Sequence, residues 1–346
     1  MKAVVVRAHG GLDALEVCTL PDPVPRADEV LVEVHAAGVN HLDVWVRKGV
    51  PGYEFPLPLV PGNDVAGVVR EVGERVAGIS PGDEVVLAPA TSCGRCAACF
   101  QGRDHHCRDY CILGEHRDGG WAEFVVVPRE NVLPKPTRLS FVEAASMPLT
   151  FLTAWHMLVA RARIRPGETV LVQAAGSGVG VAGIQIAKLW GAQVIATAGS
   201  PAKLERARAL GADHVIDYRR EDVPARVKEL TAGRMCQVVF DHVGVDSWRA
   251  STASLAWQGR LVTCGATTGP KVELNLAHLF FKSLSILGST MGSKGELVEV
   301  LAHAEAGRLA PVVDSVLPLG EAREAQRRLE AREVFGKLVL VPEAFL

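Results

Sequence analysis

Four cysteines in the first third of the sequence have the spacing of a metal site. They are Cys93, Cys96, Cys99 and Cys107. Four thiolates can close a tetrahedral shell around zinc, and a shell made only of protein ligands leaves no position open for substrate. The pattern therefore predicts a structural zinc in a lobe of about residues 91–112. An iron–sulfur cluster, which also uses four cysteines, is the main alternative, and His105 or His106 is able to replace one ligand.

A glycine-rich turn predicts a dinucleotide-binding site. Residues 174–180 read AAGSGVG and lie between an apolar strand, Thr169–Ala175, and a helix, Val181–Trp190. Backbone N–H groups at such a turn bind pyrophosphate at the helix N-terminus. The expected contacts are Ser177, Gly178, Val179 and Gly180. The glycine pattern is imperfect, so the prediction depends on the strand–turn–helix context.

The end of the next strand, Gln193–Ala198, indicates which cofactor is bound. An NAD site usually places a carboxylate there for the ribose 2′-OH. This sequence has Ala198, followed by Gly199 and Ser200. Ser200 can donate a hydrogen bond and Lys203 supplies positive charge, which favours the 2′-phosphate of NADP over NAD.

The elements that must position these motifs are of two kinds. Residues 1–150 contain short strands rich in β-branched residues, and many prolines that break helices. In residues 151–290 strands and helices alternate, which predicts a doubly wound parallel sheet. Residues 291–346 contain a helix and a final strand, and we expect them to return to the first domain. The expected fold class is α/β.

Composition narrows the function classes. The chain has 346 residues, 48% of them hydrophobic, and a net charge of −2, so neither a nucleic-acid partner nor a membrane surface is indicated. The apolar run at the N-terminus is too short for a signal peptide, and clustered cysteines in such a chain favour metal over disulfides. We expect a cytoplasmic protein that acts on a small-molecule substrate.

These motifs together resemble the medium-chain dehydrogenase/reductase superfamily over essentially the whole chain. The resemblance is carried by the four-cysteine lobe, residues 174–180, FDHVG at 240–244, residues 259–265 and GKLVL at 336–340. It implies a GroES-like catalytic domain at 1–150 and a Rossmann domain at 151–290. It also implies that Val243 and Gly265 contact the cofactor.

Zinc alcohol dehydrogenases of this superfamily hold a second, catalytic zinc. Their ligands are a cysteine in GVCxxD, a histidine in GHE and a later cysteine. Here the matching segments are GVNHLD at 38–43, GND at 62–64 and AAS at 144–146. Asn40, Asn63 and Ala145 therefore occupy the ligand positions, and asparagine binds zinc weakly. A second site made by His41 and Asp64 is the alternative.

Asn40 and Asp43 instead resemble the quinone oxidoreductase branch, which works without catalytic zinc and prefers NADPH. In that branch a lysine and a tyrosine hold the 2′-phosphate, and the matching positions are Lys203 and Tyr218. The four-cysteine lobe is a departure, because typical members of the branch lack it. The resemblance thus combines features of two branches.

The predicted activity is hydride transfer from NADPH to a quinone, an enone or a carbonyl compound in a cleft between the domains. Without a metal, hydrogen bonds must polarise the substrate, and Asn40 and Asn63 are candidates to donate them. Tyr53 would donate another or stack on the substrate, and Asp43 would orient its neighbours. The alternatives are a zinc-dependent alcohol dehydrogenase with atypical ligands and a non-catalytic NADPH-binding protein, crystallin-like or regulatory.

The resemblance also implies self-association. Residues 284–288 are expected to form the edge strand of the nucleotide-binding sheet, and two such edges would pair across a homodimer or within a homotetramer.

Overall fold

The computed structural model describes residues 1–346, which form two units. The first unit combines Met1–Leu149 with Ser293–Leu346, and the second is Thr150–Gly292. None of the helices is both long enough and apolar enough to cross a membrane.

Valine-rich segments form most strands of the N-terminal part. In chain order the strands are β1 (Lys2–Val6), β2 (Leu15–Thr19), β3 (Glu29–Gly38), β4 (Asp64–Val72), β5 (Glu84–Leu87), β6 (Ala90–Thr91), β7 (Cys111–Ile112), β8 (Phe124–Pro128) and β9 (Val132–Pro134). The helices are α1 (His41–Lys48), α2 (Ala97–Phe100), α3 (Phe141–Ala144) and α4 (Pro148–Trp155), in which the chain passes into the second unit. A π-helical stretch, His156–Arg161, follows.

The second unit alternates strands and helices, and the C-terminal segment then rejoins the first. The strands are β10 (Thr169–Val172), β11 (Gln193–Ala198), β12 (His214–Asp217), β13 (Cys236–Asp241), β14 (Leu255–Thr263), β15 (Ser285–Gly288), β16 (Val313–Pro318) and β17 (Lys337–Val341). The helices are α5 (Gly178–Leu189), α6 (Pro201–Ala209), α7 (Val223–Leu230), α8 (Val245–Ala253), α9 (Leu276–Phe281), α10 (Lys294–Glu305) and α11 (Ala322–Glu330).

The first unit is built on a seven-stranded sheet in the order β16-β17-β3-β4-β5-β9, with β8 also paired to β3. Inward residues of β3 alternate with partly exposed ones, and Val30, Val32 and Val34 are fully buried against Trp121 and the other strands. This alternation is what an antiparallel sheet with one buried face requires. The pairing of β3 with β4 and with β17 places the carboxyl end of β3 beside the start of β4 and the start of β17. Gly38 is opposite both Asp64 and Val339.

The second unit is a six-stranded sheet, parallel throughout, in the order β12-β11-β10-β13-β14-β15. Its central strand β10 is buried at every position, as expected for a sheet covered on both faces. In chain order this is the 3-2-1-4-5-6 arrangement of a dinucleotide-binding Rossmann sheet. The α/β fold class is confirmed.

Candidate functional site

The four cysteines meet in one cluster. The turns around α2 and the 3-10 turn Asp104–His106 bring the sulfurs of Cys93, Cys96, Cys99 and Cys107 within 4.8 Å of one another. This donor set fits zinc, which prefers four tetrahedral thiolates in structural sites. His105 and His106 pack ring against ring, 4.1 Å apart, and the metal-type cluster consists of the four thiols without them.

A buried polar network is formed at the positions that the resemblance matches to catalytic zinc ligands. Asn40 lies between the end of β3 and α1, and Asn63 directly precedes β4. Asn40 Nδ2 donates to Asn63 Oδ1 at 2.8 Å and to Asp64 Oδ2 at 2.7 Å. All three side chains are at most 5% exposed. The sequence placed Asn40 and Asn63 together, and the structure adds the carboxylate of Asp64 as their common neighbour.

Lys337, the first residue of β17, supplies a cation to this network. Its ammonium donates to Asn40 Oδ1 at 2.6 Å, to Val39 O at 2.9 Å and to Asp64 Oδ2 at 2.9 Å. Asp64 Oδ1 accepts from the Leu149 N–H at 2.6 Å. Both oxygens of the carboxylate are therefore already bonded within the protein, and its negative charge is paired with the ammonium.

Ala145 occupies the third ligand position, and its carbonyl oxygen packs against Gly38, as the Asp64 side chain does. A Cβ on Gly38 would lie 2.5 Å from Ala145 O and 2.9 Å from Asp64 Cβ. The methyl group of Ala145 offers no ligand atom. The three positions therefore carry two amides and an alanine in place of metal ligands.

The side-chain NH₂ group of Asn63 has no hydrogen-bond acceptor in the protein. Asn63 Oδ1 accepts from Asn40, whereas its Nδ2 is buried and has no acceptor. Burying an amide donor without an acceptor costs about 1–3 kcal/mol, so an acceptor from a ligand would bind there favourably. Asn40 has no such free group, because both of its amide hydrogens and its oxygen are engaged.

Asp43 organises the loop around this network. It is fully buried in α1, and its carboxylate accepts from the Asn40 N–H at 2.7 Å and from the Gly62 N–H at 3.1 Å. Burial raises the pKa of Asp43 to about 7, while the two backbone donors and nearby Lys337 act in the opposite direction. Asp43 thus connects the two asparagine-bearing segments.

Replacing Asp43 by asparagine is expected to destabilise the protein by roughly 1–3 kcal/mol, because one buried backbone N–H would then face an amide NH₂ instead of an acceptor. Urea unfolding of Asp43→Asn and wild type measures the difference. Asp28→Asn is the control, since the Asp28 carboxylate is 69% exposed. Equal unfolding free energies for Asp43→Asn and wild type would contradict this role.

Tyr53 lies in a separate hydrogen-bonded group. Its hydroxyl is 2.6 Å from His116 Nε2, and His116 Nδ1 accepts from the Ile112 N–H at 3.1 Å. The neutral imidazole therefore carries its proton on Nε2 and donates it to Tyr53. Burial, with the neighbouring Glu115 carboxylate, raises the pKa of Tyr53 to about 12. Tyr53 thus keeps its phenolic proton at neutral pH and donates it in a hydrogen bond to Glu115.

The glycine-rich turn has the geometry of a phosphate-binding helix start. Helix α5 begins at Gly178, and Ser177 Oγ caps it by accepting from the Gly180 N–H at 2.8 Å. A Cβ on Gly180 would lie 2.4 Å from Ala174 O, so only glycine fits. The N–H groups of Gly178 and Val179 are left at the positive end of a twelve-residue helix, where phosphate is stabilised.

Tyr218 and Arg219 lie against the backbone at the end of β11. A Cβ on Gly199 would lie 2.6 Å from Tyr218 Oη and 2.9 Å from Arg219 Nε. Ser200 caps α6 by accepting from the Lys203 N–H. Sequence reasoning named Ser200, Lys203 and Tyr218 but missed Arg219, which directly follows Tyr218 in the chain.

The remaining predicted cofactor residues follow the next strands of the same sheet. Val243 comes after β13 and donates its N–H to Asp241 Oδ1 at 2.8 Å, and Gly265 comes after β14. The carboxyl ends of neighbouring parallel strands share one edge of the sheet, which is where Rossmann folds bind ligands.

Comparisons with known proteins agree with this architecture. A model of the zinc-binding dehydrogenase family matches residues 178–306, and one of the alcohol dehydrogenase GroES-like domain matches residues 26–137. The chain is 34% identical to an NAD-dependent alcohol dehydrogenase of Sulfurisphaera tokodaii, over 93% of this chain and 95% of that protein. It is 33% identical to a quinone oxidoreductase of Pseudomonas aeruginosa, over 99% of both chains.

A crystal structure of an NAD-dependent alcohol dehydrogenase is also similar, with 55% identity, a TM-score of 0.96 and 99% of each chain covered. Fold, nucleotide turn and relatives together define an NAD(P)-dependent oxidoreductase. The chain belongs to the medium-chain dehydrogenase/reductase superfamily, and within it to the zinc-type, alcohol dehydrogenase-like proteins.

Proposed function

We propose that this protein is an NADPH-dependent reductase of quinones, enones or related carbonyl compounds, that it works without a catalytic zinc, and that it carries one structural zinc. The observation that carries the proposal is the network of Asn40, Asn63, Asp64 and Lys337 at the catalytic-zinc position. It replaces the metal ligands of the zinc-type relatives with amides and a buried cation.

A second zinc does not fit this donor set. The ammonium of Lys337 lies within 2.9 Å of both Asn40 Oδ1 and Asp64 Oδ2, so a metal at these oxygens would have to displace a positive charge. His41, the other ligand considered, packs edge-on against Trp45 with the ring centroids 5.4 Å apart. These contacts weigh against a zinc alcohol dehydrogenase with atypical ligands.

The thiol cluster, by contrast, fits a structural zinc. Cys93, Cys96, Cys99 and Cys107 would hold the metal, and four protein thiolates leave it no open coordination position. The zinc would therefore stabilise the lobe and take no part in the chemistry.

NADPH is favoured by the groups at the end of β11. No carboxylate stands there to accept a ribose 2′-OH, and Arg219 and Tyr218 lie on the Gly199 backbone with Ser200 beside them. A guanidinium is well suited to bind a phosphate dianion. The relatives include proteins named NAD-dependent, so the proposed preference for NADPH rests on these residues alone.

Replacing Arg219 by glutamine is expected to raise the KM for NADPH about 10- to 100-fold, because a hydrogen bond to a charged group contributes roughly 1.5–3 kcal/mol. The KM for NADH should stay within a factor of about two. Arg220→Gln, whose guanidinium is directed to Asp217 at 3.7 Å, is the matched control. Equal effects on both cofactors, or equal effects of both substitutions, would contradict the assignment.

The roles of the site residues follow from the negative charge that develops on the substrate during hydride transfer. NADPH, when bound, supplies a hydride. Addition of a hydride to a quinone or enone leaves negative charge on the substrate oxygen, which a fixed hydrogen-bond donor stabilises. Asn63 Nδ2 is a buried donor with no acceptor in the protein. Water would supply the proton that completes the reduced product, and Tyr53 would donate a hydrogen bond to the substrate or stack on it.

A substrate panel tests the proposal. Quinones, enones, aldehydes and simple alcohols are assayed with NADPH or NADP and with NADH or NAD. We expect turnover of quinones or enones with NADPH as the fastest reaction. Alcohol oxidation with NAD that depends on added zinc would support the zinc-dependent alternative. NADPH binding without turnover of any compound would favour a non-catalytic role.

We also propose that two copies pair along β15. This strand is the edge of its sheet and hydrogen-bonds to β14 alone. Nearby apolar side chains are about two-thirds exposed, and the largest are Trp257, Leu276, Phe280 and Phe281. Pairing two edges would cover this surface and extend the sheet.

Replacing both Phe280 and Phe281 by aspartate is therefore expected to convert the dimer or tetramer into smaller species, as measured by light scattering after gel filtration. Val24→Asp, at a valine that is 80% exposed in the other unit, should leave the molar mass unchanged. A monomeric wild type, or a double variant of unchanged mass, would contradict the interface.

A further inference from the structure

Lys337 is a buried lysine whose every N–H group is used. Its side chain is 4% exposed, and the three hydrogens of its ammonium go to Val39 O, Asn40 Oδ1 and Asp64 Oδ2. It is the only charged residue of β17, a strand buried along its whole length. The bond to Asp64 neutralises that carboxylate. The bond to Asn40 fixes the orientation of the Asn40 amide.

An ammonium can only donate hydrogen bonds, so it sets the direction of the amide next to it. Asn40 must turn its oxygen towards Lys337 and its NH₂ group towards Asn63 and Asp64. Asn63 must then turn its own oxygen towards Asn40. Its NH₂ group is thereby directed away from the network, where the protein offers no acceptor.

The orientation of these two amides also affects how strongly their NH₂ groups donate hydrogen bonds. Hydrogen bonds in a chain polarise one another, and the effect is greater in a buried setting of low dielectric constant. A positive charge bound to Asn40 Oδ1 makes the Asn40 N–H groups stronger donors, and they in turn polarise Asn63. The chain of bonds runs from the ammonium through two amides to one uncommitted donor.

We propose that Lys337 is a positioning residue that acts through Asn40 to make Asn63 Nδ2 the group that binds the carbonyl oxygen of the substrate. The inference rests on the proposed function, since it names how that site replaces a metal ion. The substrate class is a quinone, an enone or an aldehyde, each with an oxygen that gains negative charge as hydride is added.

The double variant Asp64→Asn/Lys337→Met tests whether the ammonium of Lys337 sets the orientation of the two asparagine amides. It removes both members of the Lys337–Asp64 ion pair, so neither charge is left buried without the other. The amide introduced at position 64 must use its oxygen for the Leu149 N–H, so its NH₂ group faces Asn40. Asn40 then turns its oxygen towards this NH₂ group. Asn63 in turn donates its own NH₂ group to the Asn40 oxygen, and the Asn63 oxygen faces the substrate. We expect kcat to fall roughly 10²-fold, with the KM for NADPH unchanged.

A merely structural role is excluded by combining this variant with Asn63→Ala. If Lys337 acts through Asn63, the triple variant is no slower than Asn63→Ala alone, because both remove the same donor. The proposal would be overturned if the fold-losses in kcat of the double variant and of Asn63→Ala multiplied in the triple variant. It would also be overturned if the double variant kept the wild-type kcat. The control pair is Glu84→Gln/Lys135→Met, which removes a half-buried lysine and its exposed carboxylate partner, 3.1 Å apart, and should leave kcat unchanged.

A binding measurement gives a readout besides turnover. The visible absorption of 4-dimethylaminocinnamaldehyde shifts to the red when its carbonyl oxygen accepts a strong hydrogen bond. We expect this shift with wild type and NADP, and its loss in both the double variant and Asn63→Ala. An equal shift in wild type and both variants would overturn the proposal even for a protein that reduces no quinone.

Asn40→Leu provides a second route if the double variant does not fold. It keeps the Lys337–Asp64 ion pair and removes the amide between Lys337 and Asn63. Loss of the red shift and about a tenfold fall in kcat support the proposal, and wild-type values for both would overturn it. Failure of the proposed function would be visible separately, as an absence of quinone or enone turnover in wild type.

Discussion

Replacing Asn63 by alanine is expected to lower kcat for quinone or enone reduction about 10²- to 10³-fold, the usual effect of removing one donor to a developing oxyanion. Stability should change little. The variant loses the bond from Asn40 Nδ2, but it also removes a buried NH₂ group that has no acceptor in the protein. Steady-state kinetics and thermal unfolding on the same samples measure both quantities.

Asn131→Ala is the matched control for this prediction. Asn131 is also fully buried in the first unit, but its Nδ2 donates to Ala88 O and Ala90 O. Its loss should lower the melting temperature and leave kcat per folded molecule unchanged. The account would be contradicted if Asn63→Ala kept wild-type kcat, or if the two variants lost activity to the same extent.

Replacing Cys93 by serine is expected to lower bound zinc from about one to near zero per chain and to destabilise the fold strongly. Metal binding to a site that exists only in the folded state contributes directly to folding free energy. A loss of several kcal/mol corresponds to roughly 10 °C in melting temperature for a chain of this size. Metal analysis and calorimetry check the two effects.

Cys111→Ser is the control, because Cys111 lies in β7 outside the four-thiol cluster. It should retain the zinc and the melting temperature of wild type. Folded Cys93→Ser at low temperature should keep kcat within a few-fold of wild type, since the zinc takes no part in the reaction. Full retention of zinc by Cys93→Ser would contradict the ligand assignment.

Local signals in the sequence predicted the alternation of strands and helices in the second unit. The strand predicted at Gln193–Ala198 has these bounds in the structure, as β11. The bounds of β10 were wrong by three residues. The apolar run continues to Ala175, but Ala174 has φ +49°, a left-handed conformation that ends the strand. Composition does not reveal where a chain leaves a sheet.

The start of α5 was also misplaced by three residues, at Val181 instead of Gly178. The helix begins earlier because the Ser177 hydroxyl caps it. A serine three residues before a glycine carries less sequence signal than the apolar residues that follow.

The functional network was only half predictable. Asn40 and Asn63 were found because they stand at motif positions. Lys337 was missed because it lies 297 positions from Asn40 in the chain, and no local pattern links a C-terminal strand to an N-terminal turn. One signal was present: a single lysine within an otherwise apolar strand needs a buried partner. Arg219 was missed because a basic residue in a turn is usually only solvated.

The central claim is that hydride transfer here proceeds without a catalytic zinc. The most direct test is the zinc content of fully active protein, measured per chain beside its NADPH-dependent turnover of a quinone or enone. The account predicts one zinc per chain and turnover that survives brief exposure to 1,10-phenanthroline. Two zincs per chain, with turnover lost in proportion to removal of the second, would contradict it.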